Sequence, residues 1–220
     1  MLQQRSRPTS RSLLLTIVGV LLAFVVGLVA GRALPSAPGA QSVDVGFSRD
    51  MSTHHSQAVA MAYQAIQDAP SPEVRQLAVD IASTQGNQMG RMQSLLITWD
   101  QPLASTGPVM EWMRGTDEHA RHVLQQDQGR IMPGMATAAE LARLSTETGA
   151  TFEVDFLQLM LRHHEGGIEM AQIGARRATT SEVRDLAGAI VASQRGELTV
   201  LQSLLTARGA QPLPAPAPLS

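Results

Sequence analysis

An all-α protein, a four-helix bundle made from one helical hairpin used twice, is what this sequence predicts, and three observations predict it. Aromatic residues make up only 3% of the chain while Ala, Leu and Met are plentiful, a balance that suits helices packed through aliphatic side chains better than a β-sandwich or barrel. Laid on itself with a shift of 109 residues, segment 47–97 falls on 156–206 without a gap, with 18 identities in 51 positions; unrelated segments would share about three or four. Within a copy the apolar residues recur at helical spacing, as in Val74, Leu77, Ala78, Ile81 and then Met89, Met92, Leu95, Leu96.

The elements follow in order. A basic segment, 1–12, carries Arg5, Arg7 and Arg11, and the uncharged run 13–30 follows it. As a helix that run spans about 27 Å, near the thickness of a bilayer core. It predicts one N-terminal transmembrane helix, an anchor or uncleaved signal. The arginines ahead of it hold the N-terminus in the cytoplasm and send the rest outside the cell membrane. Secretion after signal cleavage is the alternative, with "GRA" ending at Ala33 as the nearest site. Residues 31–42 form a Pro/Gly/Ser/Ala linker, and 210–220 form a Pro-rich extended tail.

Between them lies the domain, 43–209. In each copy a break, "APSPEV" or "ATTSEV", supplies a Ser or Thr N-cap before the second helix, with Pro72 at a first helical position and Gly209 as the final cap. Two such hairpins bury their apolar stripes against each other with a long crossover, 98–150, between them. The crossover is expected to hold helix around 110–126 broken near Gly115, an "MPGM" turn at 132–135, and a capping box from Thr137 to Glu140.

Composition excludes several functions. A net charge of −2 gives no basic patch for nucleic acid. The chain has no cysteine, so disulfides, thiolate metal sites and iron–sulfur clusters are excluded. What remains for metal chemistry is Met and His. All six histidines fall in pairs, 54/55, 119/122 and 163/164, and methionines flank the adjacent pairs. On a helix, Met51, His54 or His55, Ala58 and Met61 share one stripe, repeated as Met160, His163 or His164, Gly167 and Met170.

Thioether with imidazole and no thiolate suits copper, Cu(I) or Cu(II). The candidate ligands are therefore Met51, His54, His55, Met61, Met160, His163, His164 and Met170, in one shared site or two equivalent ones. Asp50, one turn before His54, and Glu165, beside His164, are candidates to orient the imidazoles. His119, His122, Met110, Met113, Met132 and Met135 are secondary candidates. Against these stands plain packing: a lone Met or His on a helix is more often core than ligand. The pair Met89/Met92, replaced by Leu198/Leu201 in the second copy, is read as core.

"MPGMATAAELARLSTETGATFEVDFLQLMLRHHEGGIEMAQ", 132–172, together with "DMSTHHSQAVAMA" earlier, resembles the signature of the bacterial family known as domain of unknown function 305. The resemblance covers about 43–207. It implies a ferritin-like helical fold, secretion or membrane anchoring in many members, and copper binding in some. At the two positions after the histidine pair the first copy has "SQ" where the second has "EG".

The expected function is copper sequestration or handling outside the cytoplasm, without catalysis. A non-metal helical envelope or interaction module is the alternative. A di-iron-type oxidase is less favoured, because the Glu and Glu-x-x-His quartet it needs is missing. Expected partners are the membrane, a metal ion, and a second copy of the chain or an envelope protein.

Overall fold

Each hairpin finds its partner stripe in the other copy. The computed structural model describes residues 10–33, 37–105, 107–126 and 129–213, with backbone alone at 10, 12, 13, 26–33, 121, 122 and 124–126. Among the described residues there are seven α-helices and no strand: α1 (Ser10–Ala33), α2 (Val43–Asp68), α3 (Pro72–Thr98), α4 (Asp117–Gln126), α5 (Ala138–Leu144), α6 (Gly149–Arg177) and α7 (Ser181–Ala207). A 3₁₀ turn, Glu111–Met113, precedes α4. The chain divides into two compact units, 1–37 and 38–220.

The first unit contains α1. Among the described residues no helix is long and apolar enough to cross a membrane, so the expected transmembrane helix at 13–30 is not supported. The side chains of 13 and 26–30 lie outside the described residues, as do 1–9, 34–36 and the tail from 214.

In the second unit α2 pairs with α3 and α6 with α7, and the hairpins meet through α2 and α6. The meeting is antiparallel: Phe47, near the start of α2, packs on Gly174, near the end of α6, while His54 meets His163 at mid-length with the rings tilted by 40°. Gly174 is required there, since an added Cβ would lie 2.7 Å from the Phe47 ring. The sequence duplication becomes a pseudo-twofold relation.

That relation extends to the helix starts. Asp44 of α2 is buried and accepts hydrogen bonds from the backbone N–H groups of Thr179 and Thr180 and from both hydroxyls, closing the start of α7. Glu153 of α6, at the matching position, accepts from Ser71 N (2.6 Å) and Ser71 Oγ (2.7 Å) at the start of α3, and pairs with Arg208. Each carboxylate sits where the helix dipole and the unpaired N–H groups favour a negative charge. Burial alone would raise both carboxyls, but these bonds hold Asp44 and Glu153 below the usual range. Ser71 donates its hydroxyl to Glu153, accepts from Arg208 and makes no side-chain cap of its own, whereas Thr180, which also donates to Asp44, caps α7 as expected.

The crossover has the expected parts. Gly115 (φ +83°) breaks the 3₁₀ turn from α4, Thr137 and Glu140 make a full capping box on α5, and Gly209 (φ +66°) ends α7. The 132–135 turn lies directly on α6: Gly134 takes φ +75°, and a Cβ on Gly166 would come within 2.2 Å of Pro133 O. Arg162, buried, donates to Gly134 O and Met135 O and forks onto Glu140. From the other side Gln57 of α2 exchanges two hydrogen bonds with the backbone of Ala136. This is why the copies differ after the histidines: Gly166 admits the turn and Gln57 grips it.

Two glycine substitutions should part company. Gly166→Ala should destabilise the protein by about 2 kcal/mol or more, because backbone cannot retreat from the new methyl. Gly188→Ala, facing open space on α7, should stabilise by up to about 1 kcal/mol through helix propensity. Urea unfolding of both variants checks the opposite signs.

Candidate functional site

The central layer of the bundle is polar. His54 and His55 come from α2, His163 and His164 from α6, and all four are fully buried. The rings of His54 and His163 lie 3.8 Å apart between centroids, and each is 6.4 Å from the ring of its sequence neighbour. The apolar core divides on either side. One cluster holds Met61, Met160, Phe152 and Phe156; the other holds Met51, Met170, Phe47 and Trp112. The expected stripes are thus split by the histidine layer, with Met51 grouped with Met170 and Met61 with Met160, as antiparallel helices require.

The second cluster collects more sulfur. Met110, Met113, Met132 and Met135 from the crossover and Met92 from α3 join Met51 and Met170 there, all buried. Leu201, which matches Met92, lies in the other cluster. The thioethers are concentrated on one side by the crossover.

Hydrogen bonds fix the tautomers of three histidines. His54 Nε2 meets Pro133 O at 3.0 Å, and a carbonyl only accepts, so this nitrogen carries the proton. His164 Nε2 meets Glu197 Oε2 at 2.5 Å, again an acceptor. His55 Nε2 meets Gln88 Oε1 at 2.8 Å, while Gln88 Nε2 donates to Ser193 Oγ, which orients the amide. In each ring Nδ1 is buried and unpartnered, and on His54 and His55, which burial keeps neutral, it carries a lone pair. That is the arrangement of a metal-ligating imidazole held from behind by a carbonyl or carboxylate. His163 has no partner at either nitrogen.

The interior holds two more unpaired groups. Gln85 and Gln194, matched by the repeat, are 1% and 0% exposed, and neither end of either amide is bonded. The point where a Cβ on Gly167 would sit is 2.6 Å from Gln194 Oε1 and 3.1 Å from His54 Cε1, so this amide and that ring pack closely against the glycine. A surface groove of about 810 Å³ between α3 and α7 has Ser193 and Glu197 in its wall. The bond chains from His55 and His164 therefore end at solvent.

Two expected orienting residues do something else. Asp50 does not face His54; its Oδ2 accepts from Met110 N (2.7 Å) and Trp112 Nε1 (2.9 Å), pinning the crossover where Met110 takes φ +67°. Burial pushes this carboxyl up against the effect of those bonds. Glu165 is exposed, because neighbours on a helix point about 100° apart; burial of the half-covered carboxyl and repulsion by Glu169 push it up. The residue behind His164 is Glu197. His119 is half-buried on α4, and the side chain of His122 lies outside the described residues.

Among the described residues no three His, Asp or Glu side chains converge as a metal site. Gln88, Glu197, Gln85, Gln194 and Pro133 O were all missed by ligand-centred reasoning. The available signal was register: Gln88 and Glu197 each lie 33 residues after their histidine, and Gln85 and Gln194 hold a polar position in both copies.

The fold and layer define a class, duplicated helical-hairpin proteins with a buried histidine pair on the pseudo-twofold axis. The pattern of the family described as "Domain of unknown function (DUF305)" matches residues 44–205, and the chain belongs to that family. The solved structure of a DUF305 protein from Streptomyces coelicolor is 42% identical with a TM-score of 0.71, covering 80% of this chain and 100% of that one. A DUF305 fragment from Deinococcus radiodurans is 34% identical with a TM-score of 0.62, covering 79% and 99%. CopM in its Cu(I)-bound form is 22% identical with a TM-score of 0.56, covering 74% and 96%, and shares the fold. No curated protein matches the chain.

The histidine layer should make the metal-free protein acid-sensitive. Burial pushes His54 down to about 4 and His55 to about 3, and burial with repulsion from the other histidines depresses His163. Between about 6.5 and those values the unfolded chain binds protons that the folded chain refuses, so stability falls as pH falls through this window and is unaffected by these groups above it. Melting temperature against pH checks this, and a flat profile down to about pH 4 contradicts it.

Proposed function

We propose that this protein binds copper for sequestration or transfer, at the His54/His163 pair and the adjoining thioether cluster. The observation that carries this is the set of buried, unpartnered Nδ1 atoms on His54, His55 and His164, each ring held from behind. Leaving such atoms bare costs on the order of 1–3 kcal/mol apiece, a cost a bound ion offsets. Met51 and Met170, with Met110, Met113, Met132 and Met135 beside them, supply soft ligands for Cu(I), and imidazole serves both valences. The copper-bound forms of CopM, a protein of the same fold, are consistent with this assignment. The extracytoplasmic side belongs to the proposal, on the strength of the arginines at 5, 7 and 11 ahead of the apolar run, the layout of an export signal.

A second reading, a helical module whose histidines only close a polar network, is favoured by the three hydrogen bonds to Pro133, Gln88 and Glu197. It gives no role to His163.

Competitive Cu(I) and Cu(II) titrations of the full chain decide between them. Wild type is expected to bind copper stoichiometrically, His54→Ala/His163→Ala to lose affinity by at least about tenfold in both valences, and Met51→Leu/Met170→Leu to lose it for Cu(I) only. Circular dichroism should show the variants still helical. Equal binding by wild type and the histidine variant would leave the polar-network reading standing.

A further inference from the structure

Glu197 breaks the symmetry of the histidine layer. Residues 88 and 197 match in the repeat, as do His55 and His164 in front of them, and each meets the Nε2 of its ring through a side-chain oxygen. One is a neutral amide and the other a carboxylate. The remaining polar pairs of the interior are alike in kind, His54 with His163 and Gln85 with Gln194.

The charges around the layer show what this carboxylate lacks. Arg162, next to His163 in the chain, is buried and paired with Glu140. Asp50 is held by Met110 N and Trp112 Nε1 and feels the charge of Arg49. Glu153 has Arg208. Glu197, with its side chain only 14% exposed, has the His164 ring as its one polar partner among the described residues. A covered carboxylate without a cation is costly, and a positive ion in front of the rings offsets that cost.

We infer that Glu197 is the counter-charge for the copper ion bound at the His54/His163 pair, so that the two copies contribute unequally to one site. This rests on the copper reading above and names a group that sets its strength. The ring centres of His163 and His164 are 6.4 Å apart, and Glu197 Oε2 lies 2.5 Å from His164 Nε2. The carboxylate is therefore within about 10 Å of the His163 ring, where a unit charge in protein surroundings changes an affinity on the order of tenfold. His164 is also close enough to oppose a proton on His54, His55 or His163, so charge at its ring is felt across the layer. Gln88 holds His55 in the same manner, at 2.8 Å, and brings no charge.

Because an amide already makes this bond at the matched position, charge and hydrogen bond can be separated. Glu197→Gln keeps the bond behind His164 and loses the charge; Glu197→Asp keeps the charge and stretches the bond. The full chain is titrated with Cu(I) and with Cu(II) alone against a competing chelator, and circular dichroism checks that each variant is helical. Glu197→Gln is expected to bind both valences at least about tenfold more weakly than wild type, and Glu197→Asp to stay within about threefold of it. Gln88→Glu/Glu197→Gln moves the carboxylate to the first copy and is expected to bind at least about fivefold more tightly than Glu197→Gln. A loss in Glu197→Asp equal to or greater than that in Glu197→Gln makes Glu197 an orienting group and overturns the inference. A helical double variant no tighter than Glu197→Gln overturns it as well. Wild-type copper binding matched within about twofold by Glu197→Gln overturns it and leaves the copper reading standing, and wild type binding neither valence overturns both.

Discussion

The contact of α2 with α6 at the His54/His163 pair is the constraint on which the interior depends. Two antiparallel helices that approach this closely must present small or flat groups to each other at the crossing, and they do: Gly167 and Gly174 on one, flat imidazoles on both. Because the crossing lies at mid-length, the apolar core cannot be continuous; it parts into two clusters with a polar layer between. Every ring in that layer is pushed to its neutral form where a shift is seen, so the layer avoids buried charge while keeping lone pairs available.

Around this centre the halves are tied by carboxylates as well as by the two apolar clusters, each of which draws on both hairpins. Asp44 reaches from the first hairpin to the start of α7, and Glu153 from the second to the start of α3. Each tie crosses between hairpins, so neither hairpin has all its helix ends satisfied alone. The crossover adds a third tie through Arg162, Gln57 and the glycine-lined seat of the 132–135 turn.

Much of this was legible in the sequence. The duplication, helical period, caps at Thr137 and Thr180 and the break at Gly115 were visible because they are local or repeat-borne. The pairing of Met51 with Met170 was not, since it depends on the antiparallel sense of α2 against α6, which spacing within one helix does not encode. Asp50 and Glu165 were misjudged for a related reason: closeness along a helix was taken for closeness to an imidazole, while the groups behind the rings come from α3, α7 and the 132–135 turn. The polar identity of Gln85 and Gln194 was in plain view, but only burial shows that nothing satisfies it. The run at 13–30 looked long enough to span a bilayer, a reading the described part of α1 does not carry.

The one-sided placement of sulfur has a consequence for how such a protein is assembled. A half-length chain spanning 44–97, pairing with a copy of itself, would contain the paired rings, the idle amides, both cross-hairpin carboxylate ties, and a methionine on each side of the rings. It would have no source for Met110, Met113, Met132 and Met135, all of which lie in the segment that joins the halves. Covalent linkage thus does more than hold two equal pieces together: it is the means by which a symmetric scaffold acquires a chemically distinct face.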